Sequence, residues 1–307
     1  MKRMISAYLV SFLLLLGTGL MLYPSVASWK SQWDQSQLID TYGTRVDRAQ
    51  PEKTKQLEHA HRYNEALSAG AVLGVNERIP SGTGEVESVA GNMGVLPYAE
   101  QLTLGEDGLM ARIRIPSIDV DLPIYHGSTD DVLLKGAGHL EGTSLPVGGT
   151  STRTVITAHR GLASATMFTN LDKVKRGDTF TIETFGETLT YRVESIKVVE
   201  PDESEEVLVE EGRDLATLIT CTPLGINSHR ILVTGERVLP TPAKDLANAG
   251  KASELPRFPT WAIIIGVVII LAVPYSAYET RVYVKSRREK TATDELPPSE
   301  DLAIHTA

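Results

Sequence analysis

The chain of 307 residues contains a single cysteine, Cys221. A lone thiol cannot close an intramolecular disulfide, so no cross-linked framework supports the fold, and Cys221 serves either reactivity or packing. Basic residues are also in deficit: 30 Lys and Arg stand against 39 Asp and Glu, a formal net charge of −9. That balance argues against a nucleic-acid binder, which presents a basic face. No internal repeat is visible.

Charge is absent from two long stretches. The first runs from Ile5 to Tyr23 behind Lys2 and Arg3; the second runs from Trp261 to Tyr278, ahead of Arg281, Lys285, Arg287, Arg288 and Lys290. A helix of either length spans roughly 30 Å of hydrocarbon, and Pro274 is tolerable in such a helix. Basic residues flank each stretch on the side nearer its chain terminus, so both termini are expected in the cytoplasm and the intervening region outside it. The first stretch is longer than the usual core of a secretion signal and reads as an uncleaved anchor; small residues at Ser25, Ala27 and Ser28 keep cleavage as the alternative.

Together with the change of pattern at Leu109, these stretches divide the chain into an anchor or signal (1–24), an extracytoplasmic helical segment with a possible lid region (25–108), a region of short β-type runs (109–240), a linker (241–258), a second membrane helix (259–279) and a cytoplasmic tail (280–307). Within the second part, Leu57, Ala60, Tyr63 and Leu67 recur at spacings of three and four, which predicts a helix over Glu52–Ser68. Residues 70–94 are rich in glycine and small side chains and read as a connection. From Leu109 onward the pattern becomes short β-type runs: Met110–Ile115, Ile118–Ile124, Thr154–Ala158, Thr179–Thr184, Leu189–Val199, Leu215–Cys221 and Arg230–Val238. Phe185-Gly186-Glu187 fits a hairpin turn. Seven or eight short strands with few helices point to an all-β closed barrel or sandwich.

Three residue types in this region suggest chemistry. Cys221 closes the run Thr217-Leu218-Ile219-Thr220-Cys221; Arg230 opens the next apolar strand; His159 sits in Thr157-Ala158-His159-Arg160-Gly161, a strand-to-loop setting. A cysteine nucleophile acts as the thiolate, which a neighbouring imidazolium favours, and the same histidine can protonate a leaving amine. A guanidinium suits the oxyanion formed when an amide is attacked. His229 adjoins Arg230 and competes for the base role, whereas His126 and His139, in a glycine-rich stretch, read as loop-bonding residues. His59 and His61, two apart on a helix, fall on different faces and do not read as a metal pair. Glu200–Glu211 holds seven carboxylates in twelve residues at irregular spacing and reads as a solvated loop, with calcium binding as the alternative.

The run T-L-I-T-C-T-P-L-G-I-N-S-H-R resembles the cysteine-to-arginine signature of sortases, the membrane-anchored transpeptidases of Gram-positive bacteria. T-A-H-R-G matches their histidine segment, and G-A-G-H-L-E-G-T-S-L-P-V-G-G resembles the stretch before it. The likeness covers about residues 109–240; the second membrane helix and the G-A-G-H-L-E-G-T-S-L-P run resemble class C, the pilin-polymerising sortases, more than the housekeeping class. The resemblance implies an eight-stranded sortase-type barrel flanked by two transmembrane helices, with no metal or organic cofactor. It implies Cys221 as nucleophile, His159 as acid/base and Arg230 as oxyanion or carbonyl holder. The implied substrates are pilins or surface proteins carrying an LPxTG-like sorting signal, cleaved between Thr and Gly and joined to a pilin lysine. Attachment to cell-wall peptide amines is the other enzymatic reading, and a non-enzymatic, membrane-tethered pilin-binding barrel is the third. Class C enzymes often carry a lid with an Asp-Pro-aromatic motif. Residues 70–108 contain none; Leu96-Pro97-Tyr98 comes nearest but lacks the acidic residue, so no lid residue enters the expected site.

Overall fold

The computed structural model describes residues 2–49, 51–68, 96–105, 108–201 and 203–294. The glycine-rich connection expected over 70–94, and with it most of the lid region, lies outside the described residues. In chain order the elements are α1 (Lys2–Arg48), α2 (Glu52–Ser68), β1 (Leu109–Ile115), β2 (Val120–His126), the short α3 (Asp130–Leu133), β3 (Ala137–His139), β4 (Thr152–Thr157), β5 (Thr179–Thr184), β6 (Glu187–Val199), β7 (Asp214–Thr222), β8 (His229–Arg237), α4 (Ala243–Asn248) and α5 (Thr260–Asp294). They form two compact units, one comprising residues 1–26 and 258–307, the other 27–257.

The first unit holds the two apolar helical stretches. Both α1 and α5 are long and apolar enough to cross a membrane, each with a window of mean hydropathy 2.1. They meet along small and hydroxylated side chains. Ser11 Oγ lies 2.8 Å from Ser276 Oγ, and Tyr8 Oη 2.9 Å from Thr280 Oγ1. Ala7 and Ala272 are buried beside them, as small residues must be where two backbones approach closely.

The second unit is built on a closed barrel with strand order β1-β2-β3-β4-β7-β8-β6-β5, β5 returning to β1. Closure leaves no open sheet edge. Most pairs are antiparallel; β2–β3 and β4–β7 are parallel. Alternation in the strands places Ile113, Ile124, Ile156, Phe180, Tyr191 and Val233 in one buried cluster, with Phe180 and Tyr191 stacked at 5.5 Å. The hairpin between β5 and β6 turns through Phe185 and Gly186, both with positive φ, the geometry a two-residue loop needs to match strand twist.

One strand escaped the sequence pattern. β3 has three residues and pairs with both β2 and β4. It is too short to show alternation, and its central Gly138 reads as a loop signal. The glycine is there for space: a Cβ would stand 2.2 Å from the Gly127 carbonyl oxygen. The segment before α5 also holds a helix, α4, where a plain linker is expected. At the β7 start, Arg213 pairs with Glu194, Glu210 and Glu236, and Tyr191 donates to Asp214 at 3.1 Å. That end of the barrel is closed by ion pairs.

Candidate active site

Cys221 lies at the other end of β7, seven residues from Asp214 and so roughly 23 Å away at ~3.3 Å per residue. It faces Arg230 directly in the β7–β8 register. β4 runs parallel to β7 with Thr157 opposite Ile219, and Ala158 N–H still donates to Ile219 O at 3.3 Å. Continuing that register by two residues sets His159 level with Cys221. The three expected site residues therefore share one rim of the barrel, His159 just past the end of β4, Cys221 on β7 and Arg230 on β8. All three are partly buried, and the thiol is free.

Two hydrogen bonds clip the histidine segment to the cysteine strand, one on each side of this level. Thr220 Oγ1 donates to Ala158 O at 2.8 Å, and Arg160 Nη1 donates to Thr222 Oγ1 at 2.9 Å. The 158–220 and 160–222 clips leave the 159–221 pair between them. Arg160 is itself held by Thr169 O at 3.1 Å and Asp172 at 2.8 Å. The loop that follows is closed by Phe168 N–H donating to His159 O at 3.0 Å. Among the described residues the His159 ring makes no hydrogen bond. Arg160, Thr220 and Thr222 were present in the sequence blocks, but their part in the site depends on a pairing no local pattern announces.

Arg230 Nη1 donates to Asn227 O in the turn between β7 and β8 and to His229 O at the start of β8, both at 3.0 Å. His229 lies one step further out, opposite Thr222, with Nδ1 2.8 Å from Ser228 Oγ. The same turn exposes Leu224 and Ile226 beside the rim.

The other two barrel histidines are bound into the wall. His139 is fully buried. Its Nε2 faces Ser144 O at 2.9 Å and must carry the proton, so Nδ1 accepts from Tyr98 O–H at 2.9 Å. Tyr98 in turn accepts from Gly127 N–H at 3.0 Å. Burial lowers the His139 pKa to about 4. His126 has both ring nitrogens against carbonyls, Gly108 O at 2.9 Å and Gln101 O at 2.7 Å; its pKa is lowered by burial, which outweighs those two acceptors. Tyr98, from the Leu96-Pro97-Tyr98 run, is thus a buried clasp between these rings, a role the sequence carries no sign of. In the acidic run, Glu206 pairs with Lys197 and Glu210 with Arg153 and Arg213.

A closed eight-stranded barrel with a lone thiol at its rim defines a class of scaffold, and comparison with known proteins gives it a family. Residues 113–238 match the sortase domain. The Actinomyces oris sortase C-1 structure is similar at 47% identity and a TM-score of 0.52, covering 61% of this chain and 98% of that one. The Streptococcus pneumoniae sortase C, described for its catalysis and pilin substrate specificity, is similar at 40% identity and a TM-score of 0.54, covering 66% and 96%. A curated relative, the Bacillus anthracis sortase A, is 29% identical over 136 residues, 44% of this chain and 63% of that protein. The chain spans less than two thirds of the curated relatives' length, but nearly all of the solved ones. It belongs to the sortase family, and the two solved relatives described above are class C sortases.

Proposed function

We propose that the protein is a class C sortase acting as a cysteine transpeptidase, which cleaves an LPxTG-like sorting signal and joins the released acyl-threonine to a pilin lysine. The observation that carries this reading is the common level of Cys221, His159 and Arg230, with clips at 158–220 and 160–222 on either side. Cys221 Sγ, as thiolate, attacks the threonine carbonyl carbon, and Arg230 stabilises the oxyanion. Collapse breaks the Thr–Gly bond while His159 protonates the departing glycine amine. The thioacyl carbon is then attacked by the lysine amine, His159 takes its proton, and the thiolate leaves. One amide replaces another, so no redox partner or cofactor is needed.

The charge flanking α1 and α5 supports cytoplasmic termini and an extracytoplasmic barrel. The Ser11–Ser276 and Tyr8–Thr280 contacts support retention of the first apolar helix, since it is the packing partner of the second. The relation to a sortase C described for pilin substrates favours pilin joining over wall attachment. The test is reaction of the full chain, in detergent, with candidate pilins, read by mass spectrometry of linked peptides. A ladder joined through Thr–Lys amide bonds is expected. A single species joined to a wall-peptide amine would replace the lysine reading, and no linked species would remove the enzymatic one.

A further inference from the structure

The loop after His159 is held on two sides, and the second support comes from α1. Ser28, Gln32 and Gln35 lie at helical positions i, i+4 and i+7, a single stripe on that helix. Ser28 Oγ is 2.7 Å from Thr166 Oγ1, to which Gln32 Nε2 also donates at 3.5 Å. Gln35 is buried and donates from Nε2 to Met167 Sδ at 3.4 Å and to Lys135 O at 3.2 Å. Three polar side chains on one stripe of α1 thus converge on two consecutive residues of the histidine loop.

The residue that Gln35 holds is strained. Met167 has φ +42° and is buried, a left-handed conformation that a long side chain adopts only when its surroundings impose it. The next residue, Phe168, is fully buried and supplies the N–H that closes the loop onto the His159 carbonyl. The chain of contacts is short: Gln35 fixes Met167, Met167 aims Phe168, and Phe168 fixes the backbone of His159. On the opposite face, Arg160 ties the same backbone to Thr222.

We propose that the Ser28–Gln35 stripe of α1 is a positioning element for the reaction, with Gln35 as its principal residue: it sets the Met167 turn and thereby the approach of the His159 ring to Cys221. This rests on the reading of His159 as the acid/base group. The part of the chain nearest the membrane segment is then not a passive tether but one wall of the active-site loop.

The experiment uses the full chain in detergent and compares wild type, Gln35→Leu and His159→Ala. Gln35→Leu keeps most of the side-chain volume and removes both donated hydrogen bonds. Two readouts are taken: kcat and KM for cleavage of a fluorescent LPxTG peptide, and the rate of Cys221 alkylation by iodoacetamide against pH. Gln35→Leu is expected to lower kcat about tenfold with KM within about twofold, as small misplacement of a reacting group does. Its alkylation profile should move toward that of His159→Ala. A Gln35→Leu enzyme with wild-type kcat and profile, beside a His159→Ala enzyme that differs, overturns the inference and leaves the functional reading standing. If His159→Ala itself leaves both readouts unchanged, the functional reading fails and the inference with it. Should Gln35→Leu lower the melting temperature markedly, Thr166→Val carries the test, since it removes only the Ser28 and Gln32 contacts; the same shift at a smaller size is expected, and none counts against the proposal.

Discussion

Two polar regions of the barrel are built around histidine, and they treat it in opposite ways. In the Tyr98 clasp, both ring nitrogens of His126 and of His139 face a partner, and the His139 ring is sealed from water. At the rim, the backbone of His159 is fixed by bonds at 158, 159 and 160, while its ring has no hydrogen-bond partner among the described residues and stays partly open. The first arrangement adds rigidity and specifies how the 96–105 segment docks. The second fixes the backbone of a residue whose ring nitrogens have no hydrogen-bond partner among the described residues, an arrangement suited to the proton transfer proposed for His159. Clasp substitutions should therefore be read out in stability, and rim substitutions in turnover.

The largest effect expected is at Cys221. Cys221→Ala should abolish the thioacyl adduct and linked product while the melting temperature stays near wild type; residual product above background would remove the nucleophile assignment. His159→Ala and Arg230→Ala should each reduce kcat by about 10² to 10³, the range for losing one acid/base or oxyanion group. Near-normal turnover in either variant would cancel that residue's role.

Next comes the pH response of the clasp. With a folded pKa of about 4 against an ordinary 6.5, His139 takes up a proton in the unfolded chain before it does so in the folded one. Its contribution is complete above pH 6.5 and is lost as pH falls toward 4. At ~1.4 kcal/mol per unit this amounts to about 3 to 4 kcal/mol. Denaturant midpoints measured across that window should show the decline, and His139→Gln should flatten it. An equally steep decline in the variant would assign the effect elsewhere, His126 being the first alternative because its pKa is lowered in the same direction.

A smaller loss is expected from Tyr98→Phe. It leaves the buried His139 Nδ1 and the half-buried Gly127 N–H without their Tyr98 partner and should cost about 2 kcal/mol, with turnover little changed. A kcat loss larger than the stability loss would erase the distinction between clasp and rim. The smallest effect is expected for Arg160→Lys. Lysine keeps a charge for Asp172 but cannot hold Thr169, Asp172 and Thr222 together, so kcat should fall about tenfold. Wild-type kcat would show that the Thr220 clip suffices alone.

Much of this architecture could be read before any coordinates. Alternation identified seven of the eight strands, the i, i+3, i+4 stripe identified α2 over Glu52–Ser68, and the Phe185-Gly186 pair marked a hairpin that does turn there. These features are local, since a few neighbouring side chains decide which face is apolar and which turn is possible. The histidine, cysteine and arginine blocks were legible as a resemblance because their residue types occur in a fixed order.

What the linear chain does not state is distance. His159 and Cys221 are 62 residues apart, and they stand level only because β4 and β7 pair in parallel with one register. That register is selected by burial over the whole barrel, since a slip of one residue would turn every core side chain outward. β3, too short for any period, exists only because β2 and β4 present edges to it. The Tyr98 clasp and the α1 stripe on Met167 likewise join segments about 30 to more than 130 residues apart. The sequence by itself determined the strands, the apolar helices and the reactive residue types, because each depends on near neighbours. Only the tertiary structure decided which histidine has a ring without a hydrogen-bond partner among the described residues and which is locked into the wall, because that depends on which distant groups burial brings to each nitrogen.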